Sequence, residues 1–203
     1  MSLSPDQLVA LIVATSFAAG LNVYGTVATL GLLSRAGLIA LPGSLGLVDN
    51  SWVIGACIVL FAIEFVADKV PAFDLVWNAL QTFVRVPAGA LLAYAAASPL
   101  GPGWQLLATA LGAAIAFAAH GGKTAARVAV TTSPEPFSNA ALSFAEDAFA
   151  IFLTWFATQH PYIAATIVIV CLAVIVALMR LVIRALRALF QGAETQLQES
   201  GQP

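Results

Sequence analysis

The chain has 203 residues, of which 61% are hydrophobic and only 9% charged, and its mean hydropathy is +0.94. Such a composition excludes an ordinary soluble domain and defines a polytopic membrane protein. The formal net charge is −2, and no basic stripe with interleaved aromatics points to nucleic acid as a partner.

The N-terminal MSLSPDQ lacks the basic region of a cleavable signal, and the apolar run behind it is too long for a signal core, so the first segment is expected to stay in the mature protein. Ser4-Pro5-Asp6 offers a helix cap with proline in the first turn. As one helix, 6–34 would measure roughly 43 Å, against a hydrocarbon core of about 30 Å. It must tilt, protrude or break. Gly20-Leu21-Asn22, with Tyr24 and Thr26 behind it, is the expected interruption, and small-residue helix packing is the other reading of that glycine.

The segment 34–50 holds a Pro-Gly turn and an apolar stretch too short to span, and reads as an interfacial loop. A second span, 52–67, carries Glu64 about two-thirds of the way across, and Pro71 ends it. The segment 73–84 is amphipathic: Phe73, Val76, Leu80 and Phe83 share one face, and Asp74, Asn78, Gln81 and Arg85 the other. It either lies on the membrane surface or runs into a third span, 86–98, with Pro87 at the junction. After the PLGPG turn, a fourth span runs from Trp104 to His120, where Gly121-Gly122 is expected to interrupt it. SPEP at 133–136 breaks the chain again, and a fifth span, 137–158, holds Glu146 and Asp147 near its middle. The sixth follows His160-Pro161 and ends in MRLVIRALRALF, and the polar tail 191–203 is expected to fray.

The expected architecture is all-α: a single transmembrane domain, 1–190, of about six helices in a 3+3 inverted repeat of 6–98 and 103–190, with helices one and four interrupted. SFAAG at 16–20 echoes AFAAH at 116–120, and FAIE at 61–64 echoes SFAE at 143–146. Basic residues set the orientation. With both termini cytoplasmic, Lys69, Arg85, Lys123, Arg127, Arg180, Arg184 and Arg187 fall inside, leaving only Arg35 outside, although the first hairpin taken alone points the other way. A bacterial inner membrane is the expected location. Six short spans enclose little volume, so a homodimer is the expected assembly.

Acids inside apolar runs carry the functional signal, because a charge at the bilayer centre costs about 2.5–3.5 kcal/mol on insertion scales. Glu64 and Asp68 are four residues apart and project from one helix face, where two carboxylates can share a proton or a cation. Asp147 points about 100° away from Glu146, so the two serve different neighbours. His120, Lys123 and Arg127 form one basic face if their helix continues through Gly121-Gly122, and that face would meet an anionic solute, a lipid headgroup or the acids themselves. The pathway set is therefore Glu64, Asp68, Glu146, Asp147, Asn22, His120 and Lys123, supported by Lys69, Arg85 and Arg127. Cys57 and Cys171 lack ligand spacing and read as packing residues. Enzyme signatures such as HExxH, a P-loop or a nucleophile elbow do not occur, so no cofactor is expected, and an enzyme acting on a lipid headgroup at the cytoplasmic face is a third and weaker reading.

AAGLNVYGTVATLGLLSRAG, IEFVADKVPAFDLVWNALQTFVRVPAGAL and FAAHGGKTAARVAVTTSPEPFSNAALSFAEDAFA together resemble a family of small bacterial and plastid membrane proteins catalogued as domain-of-unknown-function family 4126. The resemblance implies a polytopic membrane protein and brings no substrate with it. Glu64-x-x-x-Asp68-Lys69 is also similar to the ExGDKT motif of a cation-exchanger family, with an extra residue before Asp-Lys and without the glycine and threonine. Two functions are expected from the sequence. One is a small transporter or channel-like protein for an ion or small solute, with the carboxylates as proton or cation site. The other is a non-transporting scaffold or accessory subunit whose buried charges form a closed network.

Overall fold

A computed structural model describes residues 3–69, 71–131 and 136–200, and at 43, 71–75, 128–131, 136–139, 185, 186 and 188–200 the backbone alone. Among the described residues every regular element is helical: α1 (Pro5–Leu21), α2 (Val23–Arg35), a 3-10 helix (Gly43–Asp49), α3 (Ser51–Ala67), α4 (Pro71–Ala96), α5 (Pro102–Thr131), α6 (Pro136–Gln159) and α7 (Pro161–Ser200). Except for α2 and α3, each α-helix opens on a proline, whose missing N–H would be unpaired in a first turn anyway. Ser4 adds a capping box to α1: its Oγ accepts from Gln7 N at 3.5 Å and its N–H donates to Gln7 Oε1 at 3.0 Å.

Pro102–Arg127, Ala140–Gln159 and Pro161–Arg184 are long and apolar enough to cross a membrane, and Pro5–Leu21 and Ser51–Ala67 are shorter apolar helices. This set of helices marks an integral membrane protein. The chain divides into two compact units, Met1–Val168 and Ile169–Pro203. The second consists of the continuation of α7, whose backbone is helical to Ser200 instead of fraying from Gln191. Of the break expected at 133–136, residues 133–135 lie outside the described residues, and α6 starts at Pro136.

The first apolar run does break, at Asn22, which has an extended backbone (φ −150°, ψ 102°). Its N–H closes α1 on Ala18 O at 2.9 Å, and its side-chain Oδ1 opens α2 by accepting from Gly25 N at 2.8 Å. One residue thus caps two helices, which is why asparagine suits the position. The second expected interruption is absent: α5 runs unbroken through Gly121-Gly122. Glycine in a helix interior costs only about 1 kcal/mol against alanine, and the continuous helix is what lines up His120, Lys123 and Arg127.

The helix α4 joins the amphipathic segment and the third span into one element with Pro87 inside it. Its polarity is inverted relative to a soluble helix. Val76, Leu80 and Phe83 are exposed, whereas Asn78, Gln81 and Arg85 are buried, as expected when the outer solvent is lipid and the interior is polar. Small residues let α1, α4 and α5 approach closely. A Cβ added at Gly112 would lie 2.5 Å from Ala93 Cβ and 2.7 Å from Gly89 O, and one added at Gly20 would lie 2.5 Å from Ala116 O. Gly112→Leu is therefore expected to cost about 1–3 kcal/mol, as overpacking typically does, read as a lower thermal midpoint in detergent. Gly55→Leu, where an added Cβ meets nothing within 4 Å, is expected to leave the midpoint in place.

Candidate functional site

Four helices of the first unit converge beside the break at Asn22. From α3 come Glu64 and, at its C-terminal cap, Asp68; from α4, Arg85; from α5, His120, Lys123 and Arg127; from α6, Ser143, Glu146 and Asp147. Apart from Glu146, whose side chain is 10% exposed, all of these residues are buried. An isolated charge at such a position would be prohibitive, so each one is held by named partners.

Arg85 pairs directly with Glu64 Oε1, and its Nη1 donates to Gly20 O at 3.3 Å and to His120 Nδ1 at 3.1 Å. Because Arg85 can only donate, His120 Nδ1 is an acceptor. His120 Nε2 faces Asn78 O at 3.1 Å and Thr82 Oγ1 at 2.8 Å, and the carbonyl can only accept, so the proton sits on Nε2 and the imidazole is neutral. Lys123 Nζ is the shared cation: it lies 3.4 Å from Asp68 Oδ2, 3.6 Å from Glu146 Oε2, 3.7 Å from Glu64 Oε1 and 3.2 Å from Leu21 O. Arg127 Nη2 bridges Asp68 Oδ2 at 2.7 Å and Glu146 Oε2 at 2.8 Å, with Nε adding a second bond to Glu146 at 3.1 Å. Ser143 Oγ donates to Asp68 Oδ2 at 3.2 Å.

The broken helix takes part through its backbone. Carbonyls at the end of α1 lack intrahelical donors, and Arg85 and Lys123 supply donors to those of Gly20 and Leu21. On the far side of the break, Asn22 Nδ2 donates to Asp147 Oδ1 at 2.8 Å. Glu146 and Asp147 thus serve different neighbours, as their spacing implies.

Lys69 is the one expected member that lies elsewhere. It is exposed, donates to Phe65 O at 2.8 Å and sits over the Phe65 ring, 2.9 Å from its centroid, where a cation meets the ring's negative face. Arg85, Lys123 and Arg127 in turn are buried among carboxylates and are not loop charges, so they carry no information about orientation; the positive-inside argument rests on Lys69, Arg180, Arg184 and Arg187. Ser143 and the Gln81–Tyr24 hydrogen bond (3.1 Å) went unforeseen. The signal for Ser143 was its place one turn before Glu146 and Asp147. No group of metal-ligating side chains occurs among the described residues.

A cavity of about 700 Å³ opens among Gln7, Leu11, Leu38, Leu41, Thr158 and Gln159, at the end of α1 opposite the break. Between it and Asp147 lie the buried hydroxyls of Thr26 and Thr154, 3.4 Å apart, and Thr154 shares a face of α6 with Asp147 and Thr158.

The fold and the site define an all-helical integral membrane protein with a buried network of acids and bases at a helix break. The chain belongs to the family described as domain of unknown function (DUF4126), whose model matches residues 9–181. No curated protein and no solved structure matches it.

Proposed function

We propose that this protein is a small membrane carrier or channel for an ion or small solute, with the buried carboxylates as its proton or cation site. The observation that carries the reading is the charge count at the break. Among the described residues four carboxylates (Glu64, Asp68, Glu146 and Asp147) meet three cations (Arg85, Lys123 and Arg127), with His120 neutral. Ionisable side chains inside a membrane mark ion and proton pathways. Broken helices that offer carbonyls and an N-terminus to one point are the usual construction of transporter sites, and the Thr26–Thr154 hydroxyls lead from Asp147 towards the cavity.

The finer architecture belongs to the same proposal: about six spans in two inverted halves, α1 to α4 and α5 to α7, in a bacterial inner membrane with both termini cytoplasmic, assembled as a dimer. It is supported by α3 and α6, the second span of each half, both contributing an acid to Lys123.

The direct pairing of Arg85 with Glu64, and of Arg127 with Asp68 and Glu146, favours a second reading, a non-transporting scaffold with a closed network. Liposomes containing the purified chain separate the two. Under an imposed pH or alkali-cation gradient, the carrier reading expects dissipation well above that of protein-free liposomes. Equal rates under every gradient would leave the scaffold.

A further inference from the structure

We propose that Asp147 is a binding site for a single proton, and that Asn22 is the positioning residue that transmits its occupancy to the α1–α2 break. The inference deepens the carrier reading and rests on it only for movement of the proton across the membrane.

Asp147 differs from the other three acids of the network. Glu64, Asp68 and Glu146 each lie within 4.0 Å of at least two cationic nitrogens. Asp147 is 3% exposed and its Oδ2, like Glu64 Oε2, has no hydrogen-bond partner; what sets it apart is that among the described residues no cationic nitrogen lies within 4.0 Å of either oxygen. Its one polar contact is the neutral amide of Asn22 on Oδ1. Among the described residues Asp147 is thus the one carboxylate of the four without an ion pair.

The groups that face it from the surrounding helices are Asn22 at the break, Lys123 and Arg127 on α5, and Glu64 and Asp68 on α3; Glu146 precedes it on α6. The two cations are already engaged by the other three acids. A metal cation would need several further oxygen ligands, whereas the neighbour that reaches Asp147 presents an N–H donor. A proton needs only a lone pair. One proton from bulk water adds to Oδ2, converting the carboxylate to a carboxylic acid and removing the one buried negative charge that no cation answers among the described residues, while Oδ1 remains the carbonyl that accepts from Asn22.

Asn22 gives this event a mechanical consequence. Its amide oxygen holds the start of α2 through Gly25 N, and its amide nitrogen holds Asp147. A hydrogen bond to a charged acceptor is about twice as strong as one to a neutral acceptor. Loading the proton therefore slackens the tie between α6 and the break, and releasing it tightens that tie.

The test is infrared difference spectroscopy of the full chain in lipid bilayers between acidic and alkaline buffer, with Asp147→Asn and Glu146→Gln beside the wild type. Asparagine preserves the size of the side chain and an acceptor for Asn22. The expected result is a carboxylic-acid C=O band from one group per chain, lost on alkalinisation, absent in Asp147→Asn and retained in Glu146→Gln. In Asn22→Ser, which keeps a cap for Gly25 N, the band is expected at higher wavenumber because the carbonyl has lost its donor. A band unchanged in Asp147→Asn, or no titrating band in the wild type, would overturn the assignment even if the protein transports. A band lost in Asp147→Asn sustains it even if liposomes show no flux.

Discussion

Arg85→Ala is expected to lower the stability of the folded chain by about 3–5 kcal/mol, the cost of leaving a buried partner charge uncompensated. The cost is at the upper end of what single substitutions do because Arg85 serves three groups at once: it neutralises Glu64, donates to Gly20 O at the end of α1, and fixes His120 through Nδ1. Lys123 Nζ, 3.7 Å from Glu64 Oε1, is shared with two other acids and cannot replace it. Thermal unfolding in detergent, followed by tryptophan fluorescence, reads the loss. A double variant, Arg85→Met with Glu64→Gln, removes both charges and keeps the volume, and is expected to recover most of the stability, since a buried pair replaced by neutral groups of similar size is often close to neutral. If the single variant unfolds at the wild-type temperature, the pair is not buried.

Legibility of the fold followed the physical strength of each signal. The break at Asn22 could be read because a run too long for the bilayer coincided with a glycine and the best capping side chain. The expected break at Gly121-Gly122 had glycines but no cap, and the helix continues because Lys123 and Arg127 find carboxylates on α3 and α6. A span's own sequence cannot show that its charges will be answered from other helices. Arg85, Lys123 and Arg127 accordingly read from the sequence both as partners of the acids and as loop charges that set orientation. The same blindness added Lys69 to the network, because proximity to Asp68 in the chain says nothing about which side of a helix end a side chain leaves. The acids Glu64, Asp68, Glu146 and Asp147 were identifiable one by one, since each interrupts an apolar run. Their inequality was not: that Asp147 alone has an amide for a partner depends on the fold of α1 back onto α6.

The second large effect concerns function and separates the roles within the network. Glu64, Asp68 and Glu146 are tied to cations, so neutralising any of them strands positive charge and acts first on folding. Asp147 has no cation to strand. Asp147→Asn is thus expected to fold as well as the wild type or better, with an unchanged or raised thermal midpoint, while losing the group that exchanges the proton.

Proton flux into liposomes, driven by a potassium diffusion potential and read by an internal pH dye, reports this exchange. The wild type is expected to acidify the lumen faster than protein-free liposomes, and Asp147→Asn, reconstituted to the same level and shown to be folded, is expected to fall to the protein-free rate. Asp147→Asn liposomes that acidify as fast as the wild type would show that Asp147 does not carry the proton.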